Sequence, residues 1–172
     1  MGELSPVNNI ALMAHFNAWV NERVYAGIAG LPDADYRKDR KAYFGSIHNT
    51  LNHLLVVDRA WTSRIKGVDH GIKSLDQILY DDFESLRAAR KIEDAALIEL
   101  VDGLSDEELR RPITYRPMSL DGSFTNRCDR ILITLFNHQT HHRGQIHAML
   151  TQQDIDLPPL DVIVFLGEVD LD

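Results

Sequence analysis

The chain has a single cysteine, Cys128, so no intramolecular disulfide can form, and a reducing, cytoplasmic compartment suits it. Long apolar runs are missing as well. The opening residues MGELSPVNNIALMAHFNAWV carry no basic segment and are broken by Asn8, His15 and Asn17, so they read as neither signal peptide nor membrane span. Basic charge is scarce: 18 Lys and Arg stand against 26 Asp and Glu, a net charge of −8 that on balance repels polyanions. The short runs RIKG and RRPITYR are too small to reverse this, and neither nucleic acid nor membrane is an expected partner. Internal repeats, low-complexity segments and linkers are absent too.

What remains is a composition of 44% apolar and 26% charged residues over 172 positions, ordinary for one soluble globular domain spanning residues 1–172. The apolar spacing is helical. Ser5-Pro6 reads as an N-cap with proline at the first helical position, Leu4 as a staple, and Ile10, Met13, Phe16, Val20 and Val24 recur at helical intervals to about Gly30. A second helix is expected from about Tyr43 to Lys66. Its apolar arc, with Leu55 and Val56 outside it, implies burial in a bundle or at a subunit interface. A third, about Asp82 to Val101, should turn Phe83, Leu86, Ile92, Ala95, Ala96 and Leu100 inward. LSDEELRRP is a short capped helical turn, and ITYRPMSLDGSFT, around Asp121-Gly122, is an irregular or short hairpin connection. A fourth long helix, about Arg127 to Gln152, follows, and Val162 to Leu166 should pack back on the rest. The fold class is all-α, a four-helix bundle with up to five helices.

Four of the eight histidines fall within ten positions of the fourth long helix, in FNHQTHHRGQIHAML. They are internal and interleaved with other residues, unlike a purification tag. No paired bistable element marks them as a pH switch. At about 100° per residue, His138 and His142 share a face with Ile131, Leu135, Gln145 and Met149, while His147 points away and His141 lies off the edge. Histidines at i and i+4 can clasp one metal ion. His53, at the border of the second helix's apolar arc, would complete a three-histidine site with open positions, as in catalytic metal centres. The alternative is a bundle whose histidines are hydrogen-bonded core or surface residues.

The sequence resembles the DinB/YfiT-like family, grouped as metal-dependent enzymes. HFNAWVNERV is similar to the family's first-helix pattern around Asn17, Trp19 and Asn21. LNHLLVVDRAW is similar to its second-helix motif, NHQTHHRGQIHAML to its H-x-x-x-H-R-G-Q signature, and LPPLDVIVFL to its closing segment. The resemblance covers nearly the whole chain, and the H-x-x-x-H-R-G-Q motif is its most specific part. It implies a bundle in which His53, His138 and His142 bind a divalent metal, commonly zinc, nickel or iron, within a homodimer. It also implies thiol-dependent transferase or isomerase activity with bacillithiol, mycothiol or glutathione in some relatives; others have no assigned activity.

Asp58, Arg143 and Gln145 are candidates to support the ligands from behind, although for Asp58 a polar contact within the bundle is the simpler role. Arg143 fits either an acidic substrate or a carboxylate across a dimer. Trp61 reads as core, and Tyr115 and Phe124 as candidates for a lid. Cys128, at the start of the last long helix, would have its thiolate stabilised there by the helix dipole. It lies about two to three turns from His138, too far to ligate beside it. No serine or cysteine nucleophile with a paired base is visible. Three neutral imidazoles leave a metal its full charge, which favours deprotonating water or a thiol. The expected function is metal-dependent chemistry on a small molecule, of thiol-dependent S-transferase, isomerase or hydrolase type. The alternative is a non-enzymatic metal-binding stress-response protein.

Overall fold

The computed structural model describes residues 6–169; Leu4 and Ser5 lie outside them, and with them the expected cap and staple. Four long helices carry the fold: α1 (Pro6–Ile28), α3 (Ile47–Lys66), α4 (Phe83–Asp102) and α6 (Cys128–Thr151). Between them come the short α2 (Asp33–Tyr36), α5 (Asp106–Arg110), and strands β1 (Pro112–Tyr115) and β2 (Phe124–Arg127); α7 (Val162–Glu168) closes the order. Each long helix packs on two others, in the closed cycle α1, α4, α3, α6. This is the all-α bundle expected.

Local chemistry sets several boundaries. Ser46 caps α3 by accepting from the Asn49 amide at 3.1 Å, and Gly67 ends it in the left-handed region with φ 71°. The helix therefore starts four residues later than its apolar pattern suggests, and Tyr43-Phe44 belong to a turn closed by Gly45 at φ 79°. Asp82 caps α4, and Ser105 and Glu108 form a reciprocal capping box on α5. β1 and β2 pair antiparallel from Pro112↔Arg127 to Tyr115↔Phe124, so Asp121-Gly122 sits inside a wide loop and not at a two-residue turn.

The apolar core has two parts. One gathers Phe16, Val20, Leu51, Leu55, Leu86, Ile146 and Leu150; the other gathers Ile10, Ala14, Ile65, Leu97, Val101, Leu132 and Leu135. Helices α1 and α6 pass from the second cluster to the first along the chain, whereas α3 and α4 pass from the first to the second. The order of directions is thus up, down, down, up. Because α3 and α4 are parallel, residues 67–82 must run back along the bundle to connect them, and they pass the site on the way.

One expectation about a face needs correction, and the alternatives in another are decided. On α4, Ile92 is 70% exposed and Ala95 is exposed, while Leu97 and the charged Arg90 and Asp94 point inward. A phase set by apolar residues alone leaves out this buried charged pair, and so turns Ile92 and Ala95 inward. On α3, Leu55 and Val56 are fully buried inside the chain, so they call for no second subunit. The tail packs back as expected, with Phe165 against Phe16 and Trp19.

Candidate metal centre

His53 on α3 faces His138 and His142 on α6, across the α3/α6 contact. The ring centroids are 4.9 Å apart for His53 and His138, 4.8 Å for His53 and His142, and 4.4 Å for the i,i+4 pair. The Nε2 atoms of His53 and His138 approach to 3.0 Å, and one nitrogen from each of the three rings lies within 4.8 Å of the others. His53 and His142 are buried and His138 is half-buried.

Neighbours settle which nitrogen is free. The Leu75 carbonyl, 2.7 Å from His53 Nδ1, can only accept, so Nδ1 carries the proton and Nε2 keeps its lone pair. Leu75 is held there because Asn52 clamps the returning segment. Its Oδ1 accepts from the Leu79 and Tyr80 amides at 2.9 and 3.0 Å, and its amide donates to the Tyr80 carbonyl. On α6, His142 Nδ1 pairs with Gln145 Oε1 at 2.8 Å, which likewise leaves Nε2 free, and the Gln145 amide reaches His141 Nε2 at 3.1 Å. His138 Nδ1 is buried and has no partner among the described residues. Phe44, freed from the helix by the Ser46 cap, stacks on His53 at 3.8 Å and meets His142 edge-on at 5.5 Å.

Burial holds all three rings neutral. It lowers His53 to about 4 and His138 to about 3, with the neighbouring imidazoles adding to the effect, and it lowers His142 as well. Neutral imidazoles with inward lone pairs and outward N–H groups held by a carbonyl or an amide are the donor set a divalent transition metal takes. A bond of about 2.1 Å to each nitrogen keeps ligand atoms within about 4.2 Å of one another, a small closure from the present spacing. The residues fit the group.

The other candidates divide. Gln145 supports a ring of the cluster directly, but Asp58 and Arg143 bond to none of the three histidines. They belong to a polar layer between the two halves of the core. Arg143 donates to Asn17 and, at 3.1 Å, to Asn21; both asparagine amides donate to Asp94. Arg90 Nη2 lies 3.0 Å from Asp94 without hydrogen-bond alignment, and its Nη1 donates to Asp58 at 2.7 Å. Gln139 donates to Asp58 at 2.6 Å and accepts from Arg143 at 3.4 Å, closing the ring. Burial lowers Arg143 to about 10, against the pull of Asp58 and Asp94. It raises the Asp58 carboxyl, against Arg90 and Gln139. No carboxylate from a second subunit is needed for Arg143. The signal for this ring was in the sequence, as Asn17/Asn21 and Arg90/Asp94, two i,i+4 pairs at inward phase.

His141 is exposed and His147 half-buried, both outside the cluster. Tyr115 packs on Trp61 at 4.9 Å with Phe124 stacked on it, so neither lies over the histidines as a lid. Trp61 is half-buried against the cluster that contains Ile65 and Leu97, as expected. Cys128 is fully buried, and that burial pushes its thiol up, overriding the helix-terminus effect expected for it.

Comparison with known proteins agrees with this architecture. The chain is 26% identical to Protein DinB of Bacillus subtilis (strain 168) over 162 residues, 88% of this chain and 90% of that one. It superposes on the crystal structure of a DinB-like protein from Bacillus cereus ATCC 10987 with a TM-score of 0.62 at 19% identity, covering 82% and 90% of the two chains. At that identity the likeness speaks for the fold. The family model described as DinB family matches residues 6–166, and the chain belongs to the DinB family.

Proposed function

We propose that His53, His138 and His142 hold a divalent metal, zinc, nickel or iron, and that the protein is a metal-dependent enzyme acting on a small molecule. The chemistry would be thiol-dependent S-transfer, isomerisation or hydrolysis, with a low-molecular-weight thiol as co-substrate in the first two. The observation that carries this reading is the convergence of three neutral rings, two of them with Nδ1 held outward by Leu75 and Gln145. A bound metal would supply Lewis acidity toward water, a thiol or an electrophile. The chain's own part is to fix the ring orientations, to exclude water with Phe44, and to keep the imidazoles unprotonated.

A non-enzymatic metal-binding stress-response protein is the second reading. It is favoured by Phe44 covering two of the three rings and by a cavity of about 630 Å³ that includes none of them. We take the protein as cytoplasmic on its single cysteine and as a homodimer on the family resemblance. A light-scattering mass of one chain, 19.6 kDa, at micromolar concentration would overturn the dimer.

The test is metal analysis of purified protein, followed by a transfer screen with bacillithiol, mycothiol and glutathione. About one ion per chain in the wild type and none in His142→Ala is expected. Equal metal content in the two overturns the site. Metal present with no turnover of any thiol or hydrolytic substrate favours the second reading.

A further inference from the structure

A second site lies away from the histidines. A cavity of about 630 Å³ opens between α1 and α4 with α7 at its end, a volume in the range that small-molecule pockets occupy. Its walls are mainly apolar, from Ala18, Trp19, Ala95, Ile98, Phe165 and Val169. Charge is confined to its floor and mouth. On the floor, Arg90 is already met by Asp58 and Asp94. His15, at one end, lies 3.9 Å from Asp102. At the mouth, Arg87 and Lys91 stand one helical turn apart on α4, and neither has a hydrogen-bond or ion-pair partner among the described residues. Two like charges at i and i+4 repel. Glu22, across the groove on α1, also lines the cavity, and among the described residues it too is unpaired. One carboxylate against two cations leaves the mouth positive on a chain of net charge −8.

We infer that this cavity binds a free amphipathic carboxylate, its chain or ring against Trp19, Ile98 and Phe165 and its head between Arg87 and Lys91. Apolar burial supplies the affinity and the two cations supply the sign preference. Arg90 and Asp94 balance each other and select nothing.

Calorimetric titration with decanoate, at near-neutral pH and below its micellar concentration, tests this. Decanoate should bind about tenfold more tightly than decanol, and decyltrimethylammonium more weakly still. The Arg87→Ala/Lys91→Ala double variant should lose about that tenfold for decanoate and leave decanol unchanged. Glu22→Gln should tighten decanoate. Ala95 is exposed on α4, so Ala95→Trp should fold, as circular dichroism would check, and should block the cavity. His142→Ala should bind decanoate like the wild type, which separates this site from carboxylate capture at the histidines. Decanol binding as tightly as decanoate, or decanoate binding undiminished in Ala95→Trp, overturns the proposal. So does a dimer in light scattering that Ala95→Trp dissociates, because a second copy would then cover the groove. Phosphatidylglycerol vesicles should leave the protein in the supernatant; pelleting abolished by Ala95→Trp would replace the free ligand with a membrane lipid.

Discussion

At His142 two neighbours of opposite kind meet: Gln145 bonds to its Nδ1, while His141 only packs against it edge-on at 4.8 Å. Removing the first should cost more than removing the second. Gln145→Ala should weaken metal binding about 10- to 100-fold in a competition titration with a chelator, because the ring loses the group that fixes its orientation. His141→Ala and His147→Ala should keep the wild-type metal content, and equal loss from His141→Ala and Gln145→Ala would show that the amide orients nothing. The same rings make the metal-free protein sensitive to acid. His53 and His138 are lowered by burial to about 4 and about 3, whereas an unfolded histidine takes its proton near 6.5. Between those values the unfolded chain binds more protons than the folded one. Stability therefore falls as pH drops from about 6.5 toward about 4. Urea unfolding of chelator-treated protein across that window should show the decline, and His53→Gln should flatten it. A decline of equal slope in His53→Gln would mean that the ring is not held neutral by the fold.

At the scale of elements, the long helices were legible because their apolar residues repeat at helical intervals. Their edges and faces were less so. The start of α3 was placed too early because Tyr43 and Phe44 continue its apolar pattern, and only the Ser46 cap breaks it. The face of α4 was misjudged because apolar positions alone set its phase, whereas pairing with Asp58 and with each other allows the charged Arg90 and Asp94 to be buried. Spacing brought His53, His138 and His142 onto inward faces, but it could not place a backbone carbonyl. The contribution of Leu75 exists only because residues 67–82 return along α3. Asn52 holds that return with three hydrogen bonds to Leu79 and Tyr80. Asn52→Leu should cost about 1–3 kcal/mol, the penalty of stranding buried backbone partners, and should loosen the metal as His53 loses its fixed acceptor. Hydrogen exchange at the Leu79 and Tyr80 amides is the direct readout. Protection at both that survives Asn52→Leu would show that the segment is held by other contacts.

Over the whole molecule, all four long helices contribute to the polar layer as they do to both apolar clusters, and its position between those clusters is a physical problem for the fold. Arg90, Asp58, Arg143 and Gln139 are each no more than 4% exposed, so their charges and dipoles must be answered by one another. A ring that closes through α1, α4, α3 and α6 answers them in one alignment of the helices. A sliding or rotated helix would leave a charge unmet, so the ring favours one arrangement over the alternatives that apolar packing alone would tolerate. Removing one member should then be worse than removing a pair. Asp58→Ala strands Arg90 with only the misaligned Asp94 and should cost about 3–5 kcal/mol in urea unfolding, the range for breaking a buried ion pair. Asp58→Leu combined with Arg90→Met should recover much of that loss, because the uncompensated charge leaves with its partner. Metal content should be unchanged in both, since neither residue bonds to the histidines. A double variant as unstable as the sum of its single changes would mean that Asp58 and Arg90 act independently, and that the four helices are aligned by their apolar contacts alone.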